Sequence, residues 1–131
     1  MYRIFISHSW SYSDQYNKIL SFLKEEIGLF YNHSVPQDDP IHTNGTDWDL
    51  QNAIEAKVKG CSCVIILAGV YATYSKWIKK EIAMAKKYNK PIIAVECWGA
   101  ERTSSVVKES VTTIVGWNTK SICNAVKKYS V

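Results

Sequence analysis

The run Ser75-Lys76-Trp77-Ile78-Lys79-Lys80-Glu81 combines residue types and spacing that could do chemistry. Successive helical residues turn by about 100°, so the faces of this segment can be read directly. Tyr74, Ile78, Ile82, Ala85 and Tyr88 share one side, while Lys76, Lys79, Lys80, Lys86 and Lys87 share the other. Glu81, the only acid in the segment, falls on the apolar side. Its neighbours three and four residues away are Trp77, Ile78, Met84 and Ala85, so no lysine of the same helix can pair with it. Nor can Glu81 close a capping box with Ser75, because position 78 is Ile. A carboxylate on a core-facing stripe is costly without a reason. One reading is a structural acid held by a lysine or amide elsewhere in the fold. The other is a site residue whose charge stabilises positive charge in a reacting group.

Regular elements surround this segment. Tyr2 to Ser7 reads as a first strand and Ser7 to Ser13 as a polar loop. Ser11-Tyr12-Ser13-Asp14 resembles a capping box, and Tyr16, Ile19, Leu20, Leu23 and Ile27 then follow helical spacing up to Gly28. Leu29 to His33 reads as a short strand. Ser34 to Gly45, with Pro36, Asp38, Asp39 and Pro40, reads as a loop. A helix starting near Thr46-Asp47 carries Leu50, Ala53, Ile54 and Val58 inward and stops at Gly60.

Cys61 to Ala68 is a continuous apolar run, the mark of a strand covered on both faces. The Glu81 helix is expected to open at about Ser75, after a connection from Gly69 to Tyr74. Asn89-Lys90-Pro91 ends it. Pro91 to Val95 is a fourth strand, and a loop from Glu96 leads to a short helix near Ser104. Thr112 to Trp117 is a fifth strand, and Thr119 to Tyr129 a closing helix. Strands alternating with helices predict an α/β fold, a flavodoxin-like three-layer sandwich with a five-stranded parallel sheet in the order 2-1-3-4-5. Its ligand crevice opens between strands one and three. Ser7, His8, Ser9 and Trp10, the stretch Gly69 to Tyr74 and the Glu81 helix should gather there, bordered by the Ser34–Gly45 loop and Trp98.

Composition narrows the function classes. The chain has 131 residues, 47% hydrophobic and 21% charged, which predicts one globular domain spanning residues 1–131. The net charge of +4 is mild, and with no nucleic-acid-reading motif it reads as a solvated lysine face; no nucleic-acid partner is expected. No signal peptide and no membrane-length apolar stretch is visible, so a cytoplasmic location away from membranes is expected. Cys61, Cys63, Cys97 and Cys123 lack metal or redox spacing, and Cys61 and Cys63 read as small buried residues.

Several sites are disfavoured by their missing parts. A receiver domain needs acids after strand one and at the end of strand three, where Ser7-His8 and Ala68-Gly69 stand instead. The glycine-rich phosphate loops of dinucleotide and nucleotide sites are absent. His8, His33 and His42 with Asp38 or Asp39 have no recognised metal spacing, so no metal is expected. Ser7 and Ser9 flank His8, but no strained turn presents a nucleophile.

The residues that remain resemble a known family. Tyr-Arg-Ile-Phe-Ile-Ser-His at the start, the Ile-Ile-Leu strand, Tyr74-Ser75-Lys76-Trp77, Glu81-Ile82 and Lys90-Pro91-Ile92-Ile93 are similar to the TIR domain superfamily. Within it, the chain is most like the small TIR-like proteins of the Thoeris anti-phage defence system. The Arg-Asp-x-x-Pro-Gly pattern of animal receptor TIR domains is missing from the Ser34–Gly45 loop.

The resemblance implies that Glu81 is the residue required for NAD cleavage and that Trp77 is the aromatic one turn before it. Ser75 matches a frequent motif position, where it could also cap the helix. The sheet topology, rather than the resemblance, adds Tyr74, Ser7, His8 and Ser9 to Ser75 and Trp77 as expected substrate contacts. NAD is then a substrate rather than a resident cofactor, and no cofactor is expected. The partners implied are a separate effector protein, reached through a diffusible ADP-ribose-derived and cyclic nucleotide signal, and other copies of the chain through self-association. Two alternatives stay open: a non-catalytic assembly or adaptor domain, and an enzyme similar to nucleoside deoxyribosyltransferases.

Overall fold

The computed structural model describes residues 1–7, 13–33, 47–69, 71–97, 103 and 105–131, with the backbone alone for residues 13, 47–50 and 71–77. Five strands form one parallel sheet in the order β2-β1-β3-β4-β5, the predicted flavodoxin-like order. The strands are β1 (Arg3–Ser7), β2 (Tyr31–Asn32), β3 (Cys63–Leu67), β4 (Ile92–Glu96) and β5 (Thr113–Gly116). The helices are α1 (Ser13–Glu26), α2 (Asp47–Lys59), α3 (Tyr71–Lys87), α4 (Ser105–Ser110) and α5 (Thr119–Tyr129). Right-handed crossovers in this order put α1 and α5 on one face of the sheet and α2, α3 and α4 on the other. The observed packing of α1 on α5 and of α2 on α3 agrees.

The apolar run of the central strand is why the sheet has this middle. All five β3 residues are buried, and they pair with β1 on one side and β4 on the other. Cys61 and Cys63 are buried within it. Burial pushes their thiols up, to about 12 for Cys61 and about 11 for Cys63, which suits an inert core role. Ile19 and Leu23 of α1, Ile54 and Val58 of α2, Ile78 and Ala85 of α3, and Ile122 and Val126 of α5 complete the core from both faces.

The ends of α3 and α5 are set by specific residues. Asn118 caps α5, its side chain accepting from the Ser121 amide at 2.8 Å. Asn89 closes α3 in the left-handed region, at φ 56°. There the Lys90 amide donates to the Ala85 carbonyl at 2.7 Å and the Asn89 amide to the Lys86 carbonyl at 3.1 Å, a Schellman pattern followed at once by Pro91. On the outer side of α3, Glu55 of α2 accepts from the Tyr88 hydroxyl at 2.7 Å and from Lys87 at 2.9 Å. The Tyr88 bond, then Lys87, holds the Glu55 carboxyl below its usual range.

Three sequence expectations need correction. The second strand is only Tyr31–Asn32, and Leu29 is 82% exposed. Gly28, at φ 82°, turns the chain at the sheet edge, and pairing to β1 begins only at Tyr31. The fourth strand runs one residue further than expected, so Glu96 lies in the ladder opposite Gly116. The third correction concerns α3, which starts at Tyr71 rather than Ser75. A tight turn at Ala68–Gly69, with Gly69 at φ 99°, brings the chain off β3 almost directly into the helix. No helix among the described residues is long and apolar enough to cross a membrane.

Candidate active site

Glu81 lies where the helical spacing put it, on the buried side of α3 with 7% of its surface exposed. Ser7 ends β1 and is 6% exposed. It is held opposite Ile66 of the central strand by the β1–β3 ladder. The Ser7 hydroxyl donates to the Glu81 carboxylate. Oε2 of Glu81 is buried and has no hydrogen-bond partner among the described residues. The site thus pairs the last residue of β1 with an acid from the helix that follows β3, at the reversal of strand order where this fold class holds its ligands.

Among the described residues, two opposing influences act on the carboxyl. Its pKa stands at about 7, raised from 4.5, because loss of water pushes it up and the Ser7 hydrogen bond offsets only part of that rise. No charged side chain among the described residues acts on it. The lysine partner that a structural acid would call for is therefore missing from this set. An unpartnered buried carboxylate oxygen is costly, and a ligand hydroxyl reaching Oε2 would satisfy it. Near neutral pH the group can exist charged or protonated, so it can both stabilise a developing cation and exchange a proton.

The other expected site residues divide into two groups. Tyr74, Ser75 and Trp77 all ride on α3 before Glu81, and only their backbone is described. Ser75 stands inside the helix, one turn past its start, so it does not cap it. Trp77 stands one turn before Glu81. About 15 Å of helix separates Tyr71 from Glu81, so the first turns of α3 rise from the level of Ser7 toward the strand ends. His8, Ser9, Trp10, the Ser34–Gly45 loop and Trp98 lie outside the described residues. So do His8 and His42 of the weighed metal set. His33 has its Nδ1 3.3 Å from the Lys57 carbonyl, and no cluster of metal-ligating residues occurs among the described residues.

One feature at this end of the sheet was missed in the sequence. Glu96 is a second carboxylate at a strand end, and Thr103, 7% exposed, donates to its Oε2 at 3.0 Å. Ser7, Ile66 and Ala94 share a row of the sheet, so Glu96, two residues past Ala94, points to the same face as Ser7. It stands two strands away, about 10 Å across the sheet. The only signal in the sequence was an acid directly after the apolar run Ile92 to Val95.

Comparisons with known proteins bear on the family and the fold. A family model described as Thoeris protein ThsB, TIR-like domain, matches residues 5–102, a span that includes both Ser7 and Glu81. Among solved structures, the chain is similar to a CMP N-glycosidase of Clostridium botulinum, BcmB, with TM-score 0.60 and 16% identity, covering 97% of this chain and 99% of that one. It is also similar to a de novo designed protein of Rossmann 2x3 fold, with TM-score 0.55 and 11% identity, covering 98% and 87%. At these identities the likeness shows the fold. No curated protein matches the chain.

Proposed function

The chain belongs to the Thoeris ThsB TIR-like family, and from that premise we propose that it cleaves NAD at the nicotinamide–ribose bond and makes an ADP-ribose-derived signal for a separate defence effector. The observation that carries this reading is the buried Glu81 carboxylate, set by Ser7 at the β1–β3 crevice with Oε2 unpartnered among the described residues.

The chemistry asks for little more than one well-placed carboxylate. Glycoside hydrolysis ordinarily uses two carboxyl groups, one of them to protonate the leaving group. The nicotinamide of NAD is already cationic. When its bond to C1′ breaks, the electron pair returns to the ring nitrogen and nicotinamide departs neutral, with no proton needed. Positive charge then develops on the ribose. Glu81, accepting from ribose hydroxyls through Oε2, stabilises that charge in a setting from which water is largely excluded. The family resemblance assigns Trp77, one turn before Glu81 on α3, to contact with nicotinamide or ribose. Capture of the cation by water gives ADP-ribose and a proton; capture by a ribose hydroxyl gives a cyclic isomer and likewise a proton, and capture by an adenine nitrogen gives another cyclic isomer. The family favours a signal over bulk NAD loss, and with it a partner protein that reads the product.

A second reading keeps the same acid and changes the substrate. The structural neighbour named a CMP N-glycosidase matches nearly end to end. A nucleotide N-glycosidic bond would present the same ribose to Glu81, and a deoxynucleoside, as in the deoxyribosyltransferase-like alternative, a deoxyribose with its remaining hydroxyls. The test is incubation of concentrated protein, with phage-infected lysate as activator, with NAD, CMP and deoxynucleosides in parallel, read by chromatography and mass spectrometry. Nicotinamide release that falls on the order of 100-fold or more in Glu81→Gln is the expected result. Base release from CMP or deoxynucleosides in its place would transfer the assignment to the second reading. Silence on every substrate in the activated wild type would leave an assembly module.

A further inference from the structure

We propose that Ser7 is the positioning residue of this site: its hydroxyl holds one oxygen of the Glu81 carboxylate and so presents Oε2 to the substrate. The assignment deepens the NAD-cleaving reading and takes its catalytic meaning from it.

The geometry separates Ser7 from an ordinary polar loop residue. It is in a strand, not a loop, and nearly all of it is buried. Its backbone is fixed by pairing to the fully buried central strand. A serine hydroxyl hangs on one rotatable bond, so fixing the backbone nearly fixes the oxygen. Glu81 is the opposite case, a side chain with three rotatable bonds reaching down from a helix. An anchor is needed to hold its carboxylate in one orientation within the tolerance chemistry demands. Ile78, Ile82 and Ala85, its buried neighbours on α3, are apolar and cannot hydrogen-bond it. Ser7 can, and the carboxylate is asymmetric in keeping with that: among the described residues Oε2 is the oxygen without a partner.

A hydroxyl donor favours the charged form of the acid over the neutral one. Ser7 therefore keeps Glu81 anionic at a pH where burial alone would protonate it. Among the described residues, burial and the Ser7 hydroxyl are the two influences on this carboxyl, so removing the hydroxyl takes away the one described influence that opposes burial.

The full chain, with its glutamate side-chain carboxyls labelled with carbon-13, tests this by NMR titration. The Glu81 resonance is assigned by its loss in Glu81→Gln. In Ser7→Ala the Glu81 midpoint should move up by roughly one pH unit, and Ser7→Thr, which keeps a hydroxyl, should stay near the wild type. This readout needs no substrate, so it stands even if NAD is not cleaved. With turnover established, Ser7→Ala should lower kcat roughly tenfold at pH 7 with a smaller effect on KM, and shift the acid limb of kcat/KM upward with the NMR midpoint. A folded Ser7→Ala with an unchanged Glu81 midpoint would overturn the assignment. So would a Ser7→Thr midpoint equal to that of Ser7→Ala.

Discussion

Glu81 makes the protein less stable than it could be, and the penalty has a definite pH dependence. Its pKa is 4.5 when exposed and about 7 when folded. Between those values the folded state holds the proton more firmly than the unfolded state does. Stability contributed at this residue is therefore full below about pH 4.5, falls as pH rises through about 7, and is level above that. The whole change is on the order of 3 kcal/mol. Glutamine cannot ionise, so Glu81→Gln should lose its stability advantage over wild type at low pH and gain it at high pH. Urea midpoints of both proteins at pH 5, 6, 7 and 8 measure this, and parallel curves would count against a buried ionising group. The position of this acid was legible in the sequence because one Glu interrupts an apolar stripe. Its partner was less so: Ser7 was read as a substrate contact, since nothing in a linear pattern tells which way a strand-end hydroxyl turns.

Element by element, local signals worked where one residue type decides the backbone. The span of α5, Thr119–Tyr129, is as expected, because Asn118 can cap it and the apolar positions repeat cleanly. The start of α3 departs from expectation because Thr73 and Ser75 both look like caps in the sequence, yet the helix opens before either of them, at Tyr71. What ends the strand is Gly69, whose left-handed backbone leads into the helix at once. The end of α3 was read correctly from Asn89-Lys90-Pro91, and it offers a test. Asn89 bears the strain of a positive φ, which glycine does not feel. Asn89→Gly should raise stability by about 0.5 kcal/mol, whereas Asn89→Val should lower it by about 1 kcal/mol or more. Thermal or urea unfolding would show the two changes with opposite signs, and equal effects would mean that this turn does not constrain α3.

At the scale of the whole molecule, the parallel order follows from one strand that can only be central. Cys63 to Leu67 is apolar at every position, so it needs cover on both faces and neighbours on both edges. Ile65, fully buried there, should cost about 2–5 kcal/mol when cut to alanine. That loss would be read as a lower urea midpoint with an unchanged slope; a loss below about 0.5 kcal/mol would mean that β3 is not the organising strand. The edges were harder to read, since β2 and β5 bury less and their bounds rest on pairing with one neighbour each. The order β2-β1-β3 also governs when the site can exist at all. Ser7 is made early and Glu81 much later, and at roughly 5–20 residues per second several seconds of synthesis lie between them. A ribosome-bound chain that has delivered only β1, α1 and β2 carries the hydroxyl without the acid. Until β3 has slotted beside β1 and α3 has folded back over it, an unfinished copy has no paired centre with which to act on any substrate.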